Sequence, residues 1–250
     1  MCAFDVVVVV VAGIAAGFLN VVAGGGSLIS ISALILLGQP SVVANGTNRI
    51  GLMVEAAVGI ESFRKRGFFD PKLGLLLSVP AVAGAIIGAR IALKIPDELF
   101  NKILAVVMIV ALAAIIKNPG KNPAPVPARM SGLRRVVTVV AFFFVGLYGG
   151  FIQAGVGFII IAVLSTITRL SLVNINSVKL FVVGVYLVPS LIVFVVSGNV
   201  NWVLGFVLAL GMAIGAWGGS HFAVKKGDRW IKAVVIAAVL AMAAKLYGVF

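Results

Sequence analysis

Apolar residues run through this chain in blocks of about 20, parted by short polar or glycine-rich breaks. A helix needs about 20 such residues to cross a hydrocarbon core about 30 Å thick, and the blocks lack the apolar–polar alternation of a membrane strand. The pattern predicts membrane-spanning helices. The first block covers about Ala3–Val22 and stops at Ala23-Gly24-Gly25-Gly26-Ser27. Asp5 stands where a signal peptide would be basic, so this block reads as a membrane segment. The second, Leu28–Leu37, is too short to span and ends at Gly38-Gln39-Pro40-Ser41, which makes the pair a helical hairpin or re-entrant element. Longer segments follow at about Val42–Phe63, Leu73–Leu93 and Leu99–Ile116.

A polar, Pro-rich stretch from Lys117 to Pro127 cannot be helical and divides the chain. The layout then repeats: Val136–Ile152, a break at Gln153-Ala154-Gly155-Val156-Gly157, a short piece Phe158–Ile167, then Leu172–Val196, Trp202–Val224 and Trp230–Val249. The expected organisation is a first transmembrane repeat over 1–117, a cytoplasmic linker over 118–135 and a second repeat over 136–250. An offset of 131 superposes the halves: Gly24 falls on Gly155, Gly26 on Gly157, Asn45 on Asn176, Gly67 on Gly198, Gly84 on Gly215, Gly88 on Gly219 and Asp97 on Asp228.

The charges relate the halves. The loop after segment three carries Arg64, Lys65, Arg66 and Lys72, while its counterpart Ser197-Gly198-Asn199 has no cation; after segment four the bias reverses, with Lys225, Lys226 and Arg229 in the second half. The positive-inside rule then puts loops 64–72, 117–135 and 225–229 in the cytoplasm of a multi-pass inner-membrane protein, with both termini periplasmic. The predicted fold is all-α and polytopic, with two inverted-topology repeats of about five helical segments, each opened by a broken hairpin.

Composition agrees. Of 250 residues 62% are hydrophobic and 11% charged, with a mean hydropathy of +1.22, whereas soluble domains carry about 25% charged residues. The net charge of +13 is placed by the loops and by anionic lipid, which leaves no call for nucleic acid. A single cysteine, Cys2, excludes an internal disulfide and a Cys-based metal cluster.

Inverted repeats carry their sites near the midplane at helix breaks, where free N–H groups and the positive end of a helix dipole suit an anion. Gly24, Gly25, Gly26 and Ser27 form one break, Gly155 and Gly157 the other. Beside them, segment three opens with Asn45, Thr47, Asn48 and Arg49, and its counterpart with Asn176, Ser177 and Lys179. Amides, hydroxyls and a cation together suit an oxyanion such as sulfite, sulfate or a sulfonate. The bland alternatives are glycines for tight packing and cations that snorkel to an interface. Glu55 lies deep in segment three, where a carboxylate is neutral or paired; Arg49 and Lys179 are its available partners, and it is either a static partner or a proton-coupling group. Glu61 is read as an interfacial partner of the Arg64-Lys65-Arg66 cluster, and Trp202 and Trp230 as interfacial anchors. Gly84/Gly88 and Gly211/Gly215/Gly219 form small-residue faces for helix packing or a homodimer. His221, the lone histidine, occupies the position equivalent to Arg90.

The turn Ala23-Gly24-Gly25-Gly26-Ser27, the run Asn45-Gly46-Thr47-Asn48, the basic turn ending Arg66-Gly67-Phe68-Phe69-Asp70, and Gly155-Val156-Gly157 with Gly198-Asn199-Val200-Asn201-Trp202 resemble the sulfite exporter TauE/SafE family over nearly the whole chain. Val156 and Phe158 depart from it, standing where the family has more glycine or a small residue. The resemblance implies a small, cofactor-free secondary transporter of sulfur-containing anions in the bacterial inner membrane. Alternating access and export follow as expectations, with an anion channel or an importer of another small oxyanion as the alternative. An enzyme would need a nucleophile–base pair, and no Ser/His/Asp set, nucleotide loop or metal-ligand spacing is visible.

Overall fold

A computed structural model describes residues 3–100, 102–103, 132–168 and 170–246. The described chain is helical, in the order α1 (Ala3–Val22), α2 (Ser27–Leu36), α3 (Ser41–Arg64), α4 (Pro71–Ala92), α5 (Gly132–Phe151), α6 (Val156–Ile167), α7 (Leu172–Val196) and α8 (Trp202–Leu246). In lipid every backbone polar group must be bonded within the segment, so these apolar runs have little choice but helix. Their ends follow local chemistry. Asp70 caps α4 by accepting from the Leu73 N–H at 3.0 Å, with Pro71 in the first turn. Ser171 caps α7 through the Asn174 N–H at 3.2 Å. Asn201 does the same for α8 through Leu204 at 3.1 Å.

Four helices are long and apolar enough to cross a membrane among the described residues: Phe4–Val22, Pro71–Ala92, Leu172–Val196 and Trp202–Ile231. The 24-residue α3 matches them in length but carries Asn45, Asn48, Arg49 and Glu55, all buried. α8 is two helices joined at Gly227, whose φ of 71° and ψ of −172° break the spiral between the expected segments. α5 begins at Gly132, so the last four residues expected in the linker are helical. The rest of that linker and most of segment five lie outside the described residues.

Packing is reciprocal. α1 lies along α8 and α4 along α5, while α3 meets α7 and α8, and α4 also meets α7. Glycine makes both long seams close. A Cβ on Gly211 or Gly215 would strike the α1 backbone at Val10 or Ile14, and one on Gly84 or Gly88 would strike the α5 backbone at Phe143 or Leu147. The small-residue faces expected to serve helix packing or a homodimer are therefore filled within the chain, because their glycines already touch main chain. Trp202 and Trp230 are half exposed at the starts of their segments.

Candidate functional site

The two helix breaks meet. α1 ends by a turn through Gly24, whose φ is 99°, with the Ala23 and Gly24 N–H groups both donating to Leu19 O at 2.7 and 2.8 Å. α5 ends by the same turn through Gln153 at φ 66°, whose N–H reaches Tyr148 O at 3.4 Å. Gly24 and Gly157 touch backbone to backbone, so a Cβ on either would overlap the other chain segment. The Phe158 ring covers Gly25 in the same way. By backbone position Gly24 corresponds to Gln153 and Ser27 to Val156, an offset of 129. The expected pairing of Gly24 with Gly155 and Gly26 with Gly157 is thus shifted by two residues. The offset of 131 resumes at α3 and α7, because α6 has 12 residues against 10 in its counterpart α2, while the connections that follow are equally long.

Each buried cation holds the end of a helix in the opposite half. Lys179 is 2% exposed and its ammonium donates to Asn20 O at 2.7 Å, Val21 O at 3.1 Å and Asn176 Oδ1 at 2.6 Å, while Asn176 Nδ2 donates to Val22 O at 3.1 Å. Together they satisfy the last carbonyls of α1. Arg49 is fully buried and does the same for α5: it donates to Gly149 O at 3.3 Å, Gly150 O at 2.6 Å and Ser190 Oγ at 2.9 Å, while Asn45 Nδ2 donates to Phe151 O at 2.7 Å. Its guanidinium also lies 4.4 Å from the centre of the Phe194 ring. A cation at a helix C-terminus meets both orphan carbonyls and the negative end of the dipole, which is why these charges are tolerated inside. Neither cation snorkels.

Glu55, 2% exposed, takes a partner other than the expected cations: Asn20 Nδ2 donates to its carboxylate at 2.9 Å. The Asn20 amide oxygen accepts the Ser27 N–H at 3.0 Å, so one asparagine ties Glu55 to the start of α2. Among the described residues no ion pair joins Glu55 to Arg49 or Lys179. Of the expected backbone donors, Gly24 and Ser27 are thus engaged, whereas the Gly25 and Gly26 N–H groups meet no acceptor among the described residues. Asn48 accepts from Ser30 Oγ at 2.6 Å, yet its Nδ2 has no partner among the described residues, and neither have Ser177 Oγ and Arg49 Nε.

Thr47 stands apart. Its hydroxyl accepts the Asn201 N–H at 2.8 Å and pins the start of α8 to α3, away from the breaks. Glu61 pairs with Arg64 at 2.9 Å and Lys65 at 3.4 Å as expected of an interfacial group. Asn20 was not singled out by the sequence reading, although it is the one polar side chain in α1 beyond Asp5. Ser190, which follows Pro189 in an apolar run, was also missed. Gln153 had been noticed only as part of a break, and here its Oε1 accepts from Tyr186 Oη at 3.1 Å.

With this geometry, comparison with known families becomes decisive: the family described as "Sulfite exporter TauE/SafE" matches residues 9–246. The chain belongs to the sulfite exporter TauE/SafE family. This TauE/SafE protein is a membrane transporter, and its polar helix α3 among apolar neighbours suits that role. It is 27% identical over 236 residues to the "Probable membrane transporter protein ORF9" of Sinorhizobium sp, covering 94% of this chain and 90% of that one. It is 25% identical to the "Probable membrane transporter protein YfcA" of Escherichia coli (strain K12), over 92% of this chain and 85% of the relative. A "Probable membrane transporter protein" of Haemophilus influenzae is 26% identical over 94% and 91%. No solved structure matches the chain.

Proposed function

We propose that this TauE/SafE protein carries sulfite or a small organosulfonate out across the inner membrane as a secondary transporter, by alternating access of two inverted halves. The supporting observation is a charge excess at the crossing of the breaks: Arg49 and Lys179 against Glu55, all buried, with no ion pair among them. Their fixed positive field favours an anion at the breaks, a setting in which charge is otherwise costly. Gly25 and Gly26 offer N–H groups at the start of α2, and Asn48 and Ser177 donors without partners, while the Ser27 hydroxyl is shared with Asn20 at 3.2 Å. Gly155, Gly157, Asn45 and Asn176 shape the other side. In this reading Arg49 and Lys179 act on the anion through their field while they hold helix ends. The close backbone contact of Gly24 with Gly157, between the two breaks, supports a carrier over a channel.

Glu55 is the coupling candidate in this scheme. Through Asn20 its protonation state acts on the Ser27 N–H, and hence on the donors of α2. In this reading both termini lie in the periplasm, which the charge bias of the loops supports.

Counterflow of labelled sulfite in proteoliposomes tests the proposal, together with thermal stabilisation by sulfite, sulfoacetate, taurine, thiosulfate and sulfate. A carrier gives transient accumulation against unlabelled substrate, and Asn48→Leu weakens the stabilising effect. Flux without counterflow identifies a channel, and no stabilisation by any sulfur anion ends the assignment.

A further inference from the structure

The seam between α1 and α8 carries a feature that the transport scheme leaves unused. A lateral groove of about 470 Å³ lies between the two helices, lined by Ile14, Phe18, Leu19, Ile214, Trp217 and Gly218. Its floor is open at Gly218, where an added Cβ would meet nothing within 4 Å. Trp217 and Ile214 are 59% and 56% exposed, so the groove faces outward from the bundle.

One turn beyond Gly218 the chemistry changes. Arg66 donates to His221 Nε2, while His221 Nδ1 bonds Trp217 O at 2.9 Å. Arg66 also donates to Ser62 O at 2.8 Å, and Ser62 meets Ser220 at 2.5 Å. The Trp217 and His221 rings lie 4.4 Å apart, and Phe18 meets Phe222 at 5.5 Å. Lys225 follows His221 by one turn, so an apolar trough runs directly into a cationic rim.

The matching seam between α4 and α5 lacks the open trough. At the repeat offset of 131, Gly218 falls on Ile87, which fills its own position with a branched side chain; Arg66 falls on Ser197, while His221 and Lys225 fall on Arg90 and Lys94. The open trough thus sets the α1–α8 seam apart, whereas a cation stands at the corresponding end of both seams.

We infer that the α1–α8 groove binds one anionic phospholipid, with an acyl chain along Ile14, Phe18 and Gly218 and the headgroup phosphate on Arg66 and Lys225. The apolar lining excludes a polar ligand from the trough, and a guanidinium presented at its end suits a phosphate. Arg66 uses only part of its five donors on Ser62 and His221, so its outer edge remains for the headgroup.

The test uses the full-length protein purified in detergent and stripped of loosely held lipid. Native mass spectrometry counts retained lipid, and thermal melting is followed with added phosphatidylglycerol, phosphatidylethanolamine or glycerol phosphate. Wild type keeps one phosphatidylglycerol and melts higher with it than with phosphatidylethanolamine. Gly218→Ile, which copies the sister seam, loses the retained lipid and the thermal response. Arg66→Gln lowers the preference for phosphatidylglycerol about fivefold, the weight of one cation at an anionic surface. If Gly218→Ile does not yield a monodisperse protein, Arg66→Gln with Lys225→Gln decides by the same preference. Retention of phosphatidylglycerol by Gly218→Ile equal to wild type overturns the groove. An equal response to glycerol phosphate makes this a simple phosphate site, and an unchanged preference in the Arg66 and Lys225 variants removes the headgroup assignment.

Discussion

Asn20 on α1 and Glu55 on α3 are joined by a 2.9 Å hydrogen bond inside the bundle, and the same asparagine accepts the Ser27 N–H at 3.0 Å. Asn20→Leu keeps the volume and removes both bonds, leaving a buried carboxylate and a backbone donor unpaired. The expected loss is about 1–3 kcal/mol for each, read by thermal or denaturant unfolding in detergent. Counterflow falls with it. A variant as stable as wild type would show that neither bond persists in the membrane.

Lys179→Met should be more damaging than its apolar surroundings suggest. The ammonium satisfies Asn20 O, Val21 O and Asn176 Oδ1, and a thioether offers none of those donors. The end of α1 is left with bare carbonyls, and unfolding in detergent should move by about 3 kcal/mol or more. Arg49→Met repeats the effect on α5 through Gly149 O and Gly150 O. Conservative Arg49→Lys restores one of those contacts and part of the stability, since an ammonium cannot reproduce the planar fork.

Glu55→Gln retains a hydrogen-bond acceptor for Asn20 and deletes the titratable group. Proteoliposome export measured across a pH series should lose its dependence on pH while the folded protein remains. Identical pH profiles in the variant and wild type would leave Glu55 as a static partner.

Gly157→Ala places a methyl group in the Gly24 backbone. The strain of overpacking is about 1–3 kcal/mol, and the two breaks are forced apart. The measurable sign is a lower melting temperature together with altered counterflow. Gly218→Ala, at a position open to the outside, should leave both unchanged.

Much of the fold was legible because lipid leaves helices few alternatives. The ends of α1 and α7 fall where the apolar runs stop, at Val22 and Val196. Both breaks were marked by glycine, and the special backbone at Gly227 separates the two helices merged in α8. The partners of Arg49 and Lys179 were not legible, because they are mainly backbone carbonyls, and a carbonyl has the same symbol in every residue. That also hid Asn20 as the partner of Glu55, since the sequence offers cations as the natural mates of a buried acid. The register at the breaks was off by two for a different reason: glycines in the two halves match by letter, whereas the turn is set by φ, and Gln153 takes the left-handed angle that Gly24 also holds. The use of Gly84, Gly88, Gly211 and Gly215 within the chain needed coordinates, because a small face reads the same whether its partner is the same chain or another.

The capping of α1 by Lys179 and of α5 by Arg49 has a mechanical meaning. Each cation is lashed to main chain contributed by the other half, so it cannot swing toward a ligand as a free side chain would. Pulling either one off its carbonyls also uncaps a helix, which then gains a reason to shift. At this crossing each charge and the helix end that it caps form a single part.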